Sequence, residues 1–138
     1  MWNLYLFSRF FSSMDPETKT PVVLVAEDEA LVRQLSVCEL EDAGYRVIEA
    51  ANAGQAIAIL ETGVPVDVLF TDVNMPGGMD GIHLVRLVHC RWPEVRLIVT
   101  SGRADIPETE LPEEGQFIRK PYRLSEMSEM VGRMAAAR

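Results

Sequence analysis

The chain has little cysteine, little histidine and no excess of positive charge. Each shortage closes off a class of function. Cys38 and Cys90 are the two cysteines of 138 residues. They form no C-x-x-C pair and have no histidine at ligand spacing, which speaks against a disulfide framework or a thiolate metal site. The composition predicts both as buried apolar filler in a reducing cytosol. The two histidines, His83 and His89, lack any partner pattern and read as ordinary residues of one helix. Thirteen Lys and Arg against 21 Asp and Glu leave a net charge of -8. Nucleic-acid binders normally carry a basic footprint, so this balance points instead to other proteins or to a cation. No internal repeat or low-complexity tract is present.

Long apolar runs are also missing. The opening M-W-N-L-Y-L-F-S-R-F-F-S-S-M-D-P is rich in aromatics, but Asn3, Ser8 and Arg9 interrupt it. It is too short to span a bilayer, and it lacks the basic start and small-residue cleavage site of a signal peptide. Residues 1–20 are therefore set apart as an N-terminal extension. It is read as a mis-called start with initiation at Met14, a disordered tail, or a small amphipathic docking segment. Residues 21–138 are read as one domain of ordinary apolar and charged content. The expected location is cytoplasmic, without membrane insertion.

Within that domain, strand and helix patterns alternate. V-V-L-V-A (residues 22–26) is a continuous apolar run of the kind buried on both faces. Leu31, Leu35, Cys38 and Leu40 follow at helical spacing, with Gly44 where a helix end belongs. R-V-I-E-A (46–50) reads as a second strand. Asn52 is placed to cap a helix through Leu60, with Ala53, Ala56, Ile57 and Leu60 inward. A third strand covers 66–71, and a helix covers 82–92, where Pro93 stops it. R-L-I-V-T (96–100) is a fourth strand, 116–118 a short fifth, and 125–136 a final helix with Met127, Met130, Val131 and Met134 on one stripe. The segment 103–115 should hold a fourth helix. Pro107 and Pro112 and its few apolar positions predict a short, irregular or mobile piece there. Such alternation implies an α/β fold: a doubly wound, five-stranded parallel sheet in the flavodoxin-like order 2-1-3-4-5, with helices on both faces.

Ligands of such sheets bind outside the carboxyl ends of the strands. The first strand ends in Glu27-Asp28, the third in Asp72, the fourth in Thr100-Ser101 and the fifth in Lys120-Pro121. Any one of these alone would be a turn residue, a cap or a surface lysine. Together they aim three carboxylates, a hydroxyl and an ammonium at one mouth. Three close carboxylates stay ionised together only if a cation joins them. Oxygen donors without thiolate or imidazole suit Mg2+, which often shares its sphere with phosphate. A carboxylate so placed is a competent nucleophile toward phosphorus, giving an aspartyl phosphate.

At these residues the chain resembles the response-regulator receiver domains of two-component signalling, from about Pro21 to Ala135. The motifs are V-L-V-A-E-D-E, T-D-V-N-M-P-x-x-M-D-G, I-V-T-S-G and I-R-K-P-Y. The steps of 44 residues from Asp28 to Asp72 and 28 from Asp72 to Thr100 look typical; the 20 from Thr100 to Lys120 is slightly short, and the shortening falls in the weak 103–115 segment. The resemblance implies Asp72 as phosphoacceptor. It implies Mg2+ held by Asp28, Asp72 and the backbone carbonyl of Asn74, with Glu27 joining through water. It also implies Thr100 and Phe117 as switch residues, Lys120 as the partner of the phosphoryl group, and a cis bond before Pro121. The Gly77-Gly78 turn is one residue longer than the shortest family version. Tyr122 stands where phenylalanine is commoner, and Ser101 stands where a smaller residue is common.

The implied function is a single-domain response regulator, not a classical enzyme. Its phosphoryl donor would be a sensor histidine kinase or a histidine phosphotransfer protein, and its output contacts with a downstream protein. No helix-turn-helix, basic stretch or output module is recognisable up to Arg138. Other readings are a phosphorelay intermediate, a phosphorylation-independent interaction module and an aspartyl-nucleophile phosphohydrolase. The last usually has a second acid two residues after the nucleophile, where this chain has Asn74.

Overall fold

The computed structural model describes residues 20–102, 106 and 110–136. The N-terminal extension lies outside them, apart from Thr20. Strands β1 (Val22–Ala26), β2 (Arg46–Ala50), β3 (Val68–Asp72), β4 (Arg96–Ser101) and β5 (Gln116–Arg119) form one sheet in the order β2-β1-β3-β4-β5. Every pairing is parallel. Helices α1 (Ala30–Asp42), α2 (Ala53–Glu61), α3 (Gly81–Arg91) and α4 (Leu124–Ala136) cover its two faces.

The alternation of side chains along each strand divides the interior into two cores. Val22, Leu24, Ala26, Leu69, Leu97 and Val99 point to the face covered by α2 and α3. Val23, Val25, Val68, Phe70, Ile98 and Ile118 point to the opposite face, against Leu40 of α1 and Met127 and Val131 of α4. This explains the unbroken apolar runs of β1 and β3, which are buried throughout. β2 lies at the sheet edge and is buried only at Ala50.

Local chemistry sets the helix limits. Asn52 accepts a hydrogen bond from the Gln55 N–H at 2.8 Å and caps α2. Asp80 does the same for α3 through the His83 N–H at 2.9 Å. Gly44, just past the end of α1, takes φ +99°, a conformation glycine adopts without steric cost. Between Ser101 and Gln116 the described residues contain no α-helix, only short turns at Glu110 and at Glu113–Glu114; residues 103–105 and 107–109 lie outside the description. Ile106 and Leu111 tuck partly against the α2–α3 core. The Arg86 side chain ties this connection down by donating to the Glu110 carbonyl at 3.1 Å.

Two sequence expectations fail. Cys38 and Cys90 are both exposed, not buried filler. Leu31 and Leu35 are 70% and 49% exposed, so the stripe they form with Cys38 faces outward. α1 carries two apolar stripes, and the one through Ser36, Val37 and Leu40 is the buried one.

Candidate functional site

The site lies where parallel strands end together. β3 and β4 run in register so that Asp72 stands beside Thr100, and β5 follows with Ser101 beside Arg119. The backbone beyond the strands is locked as well. Val73 N–H donates to the Thr100 carbonyl at 2.9 Å, and Lys120 N–H donates to the Ser101 carbonyl at 2.9 Å. Three loops therefore leave the sheet from a fixed frame.

Three acids meet here. Ligand oxygens of Glu27, Asp28 and Asp72 lie within 4.8 Å of one another. Asp72 is only 6% exposed, and Glu27 is buried too, while Asp28 opens to solvent. Lys120 reaches across from the end of β5. Its Nζ donates to Asp72 Oδ2 at 3.0 Å and stands 3.7 Å from Glu27 Oε1. The Lys120–Pro121 peptide bond is cis, as expected. Asn74 N–H donates to Asp72 Oδ1 at 3.3 Å.

Burial and neighbouring charges shift the protonation of two groups in the cluster. Burial pushes the Glu27 carboxyl up to about 7. The nearby Asp72 charge and a hydrogen bond with Asp28 act in the same direction, against the Glu29 N–H and the Lys120 ammonium. Burial works against the Lys120 charge, but Asp72 and Glu27 outweigh it and hold this amine above its usual range. The pocket thus retains one ammonium and readily takes up one proton, which lowers the repulsion among its acids.

The donor set fits a hard divalent cation: carboxylate oxygens, with no sulfur and no imidazole. A second observation points to an oxyanion. Thr100 is 1% exposed, and its Oγ1 is a buried side-chain atom with no hydrogen-bond partner. Such a group normally costs stability unless something satisfies it. The orphaned hydroxyl is that of Thr100, whereas its neighbour Ser101 is engaged in its surroundings. Phe117, paired in register with Val99, is half-buried against the core on the α2–α3 face.

Other residues shape the site that spacing did not single out. Gly81 opens α3 directly behind Asp72. A Cβ there would overlap the Asp72 carbonyl oxygen and come within 2.8 Å of the Asp72 carbonyl carbon. Arg33 of α1 donates through Nη1 to the Glu27 backbone carbonyl at 2.8 Å. Tyr122 lines the same cleft as Lys120, with its ring edge-on to Phe70 at 6.1 Å and its phenol hydrogen-bonded to the Ser36 side chain. The D-G dipeptide at 80–81 and the place of Arg33 in the first turns of α1 were the signals for the first two, and Tyr122 stood in the I-R-K-P-Y motif. Beside Lys120 an open cleft of about 530 Å³ is lined by Val32, Leu35, Tyr122 and Leu124.

Known proteins are similar to this chain. The sensor kinase CckA of Brucella abortus (strain 2308) is 38% identical over 116 residues, which make up 81% of this chain and 12% of that kinase. The response regulator receiver protein CpdR of the same organism is 31% identical over 118 residues, 83% of this chain and 97% of CpdR. Among solved structures, the receiver domain of the hybrid histidine kinase CckA superposes with a TM-score of 0.71 at 29% identity, covering 83% of this chain and 98% of that domain. The response regulator TrrA of Thermotoga maritima, solved in complex with Mg2+-BeF, shares the fold at TM-score 0.72 and 22% identity, with 83% and 99% covered. The response regulator receiver domain family itself matches residues 23–132. With the strand order, the acid cluster and this match in agreement, the chain belongs to the response regulator receiver domains of two-component signalling.

Proposed function

We propose that this protein is a single-domain response regulator that accepts a phosphoryl group from phosphohistidine onto Asp72 with Mg2+. The observation that carries this reading is the pairing around Asp72: a lysine ammonium at 3.0 Å on one side and a buried, partnerless threonine hydroxyl on the neighbouring strand. Asp28, Asp72 and the Asn74 backbone carbonyl would hold the ion, with Glu27 joining through water. Bound Mg2+ would supply charge neutralisation between the acids and the incoming phosphoryl oxygens. A carboxylate oxygen of Asp72 forms the bond to phosphorus as the P–N bond to the donor imidazole breaks, and the imidazole leaves with a proton. Lys120 then pairs with a phosphoryl oxygen instead of with Asp72 alone. Thr100 donates its hydroxyl to another, and Phe117 repacks as the switch aromatic.

The donor is a histidine on a sensor kinase or a phosphotransfer protein. Its carrier has to touch the surface around Lys120, which offers the apolar cleft and the exposed Leu35. The -8 charge favours protein contacts, not nucleic acid, as output. The cytoplasm, where such kinases present their phosphohistidine, is the compartment that suits this role. No described helix is long and apolar enough to cross a membrane. Residues 1–20 are an extension to a domain that begins near Pro21.

The test is intact mass after incubation with Mg2+ and acetyl phosphate, wild type beside Asp72→Ala. One phosphoryl adduct on wild type and none on the variant is the expected result. An adduct that survives the substitution removes Asp72 as acceptor. No adduct on either, with Mg2+ bound, turns the reading toward a phosphorylation-independent interaction module.

A further inference from the structure

We propose that Arg33 is a positioning residue for the cation site, acting through the backbone of Glu27 and held in place by Glu49. This deepens the reading of the acid cluster as a Mg2+ site and rests on it.

Glu27 is the point at which the chain leaves the sheet. Its N–H is still part of the sheet, donating to the Ala50 carbonyl at 3.0 Å. Its carbonyl faces the start of α1, where the guanidinium of Arg33 takes it at 2.8 Å. Arg33 Nε meanwhile donates to Glu49 Oε1 of β2 at 3.1 Å. A planar guanidinium can make both bonds at once, and a lysine ammonium on a flexible stem does not reproduce that fork. The Glu27 peptide is thereby fixed on one side by β2 and on the other by α1. Both of its flanking groups belong to the proposed site, Asp28 as a ligand and the Glu27 side chain through water.

The remaining bonds of the loop run the same way. The Glu29 N–H donates to Glu27 Oε2 at 3.0 Å, and the Arg33 N–H donates to the Glu29 carbonyl at 2.9 Å. Arg33 thus closes a short circuit around the acids through the Glu27 backbone carbonyl and not through a bond to their carboxylates. The Glu49 carboxylate neutralises the guanidinium on its outer side. An exposed ion pair contributes little by itself. Arg33, however, is only 20% exposed, and its bond to the Glu27 carbonyl is charge-assisted. Groups that orient ligands in this manner typically change metal affinity by about 10–100-fold when removed.

The experiment is calorimetric titration of the full chain with MgCl2, with the fold checked by circular dichroism. Arg33→Met should raise Kd for Mg2+ by about 10–100-fold. Arg33→Lys should raise it nearly as much, because charge is kept and the fork is lost. Glu49→Gln, an exposed change that leaves the core alone, should have a smaller effect and add nothing on top of Arg33→Met. Recovery of wild-type Kd in Arg33→Lys, or a lower melting temperature with an unchanged Kd in Arg33→Met, overturns the proposal. Asp28→Asn separates the two levels. If wild type binds Mg2+, Asp28→Asn does not, and the Arg33 variants bind like wild type, only the role of Arg33 falls. If wild type binds no Mg2+, the cation site and Arg33's role in it fall together.

Discussion

Glu27 sets the pH behaviour of the pocket. Its carboxyl is raised from 4.5 to about 7 in the folded protein. A carboxyl raised on folding binds its proton more tightly in the native state. Its contribution to stability is therefore fully present below about 4.5 and is lost as pH climbs to about 7. Melting temperatures of the metal-free protein should fall across that window, and Glu27→Gln should flatten the slope. A rise over the same range would contradict the assignment. Mg2+ requires the ionised form, so its binding at neutral pH should release protons, seen as a dependence of the calorimetric heat on the buffer's ionisation enthalpy. That Glu27 and Asp72 belong together was legible from their strand-end positions. The uptake of a proton by one of them was not, because burial and the distance to Lys120 exist only in the folded chain. The cysteines mislead for a related reason: apolar chemistry says a side chain can be buried, and only packing decides whether it is.

At the scale of elements, α1 and α3 show what a one-dimensional pattern leaves out. α1 carries apolar residues on two stripes, and spacing alone cannot say which one meets the sheet. Leu40 is fully buried, while Leu31 and Leu35 face solvent. Leu40→Ala should cost about 2–5 kcal/mol in denaturant unfolding. Leu31→Ser and Leu35→Ser should stay within about 0.5 kcal/mol of wild type. α3 poses the opposite case. The cap at Asn52 was readable from sequence, yet the reason for glycine after Asp80 is a contact with β3 across the fold. Gly81→Ala would drive a methyl group into the Asp72 backbone. It should destabilise by at least the ~1–3 kcal/mol typical of overpacking and slow modification of Asp72 together with it. Wild-type stability in that variant would mean that α3 can retreat freely.

For the whole molecule, topology was the most legible level, since β1, β3 and β4 advertise themselves as runs buried on both faces. The edge strands β2 and β5 are weaker signals because they are short or half-exposed. The shortened 103–115 connection was legible as a departure from the alternation, and Ile106 and Leu111 show how its few apolar residues still reach the core. A chain of net charge -8 with acids gathered at one end should gain from a divalent ion there. Mg2+ at a hundredfold excess over Kd should stabilise the protein by about 2.7 kcal/mol, and Asp28→Asn should abolish the shift in melting temperature. An equal shift in the variant would place the ion elsewhere.

The contact between Gly81 and Asp72 also has a mechanical meaning. Side chains between two elements act as a cushion, since a rotamer change can absorb a small displacement. Here helix backbone rests on acceptor backbone, and the Gly81 N–H is bonded to the Val73 carbonyl at 2.9 Å. The joint has no slack. A shift of the peptide at Asp72 of even a fraction of an ångström has to be taken up by the start of α3 itself, so that helix is geared to the acceptor without lost motion.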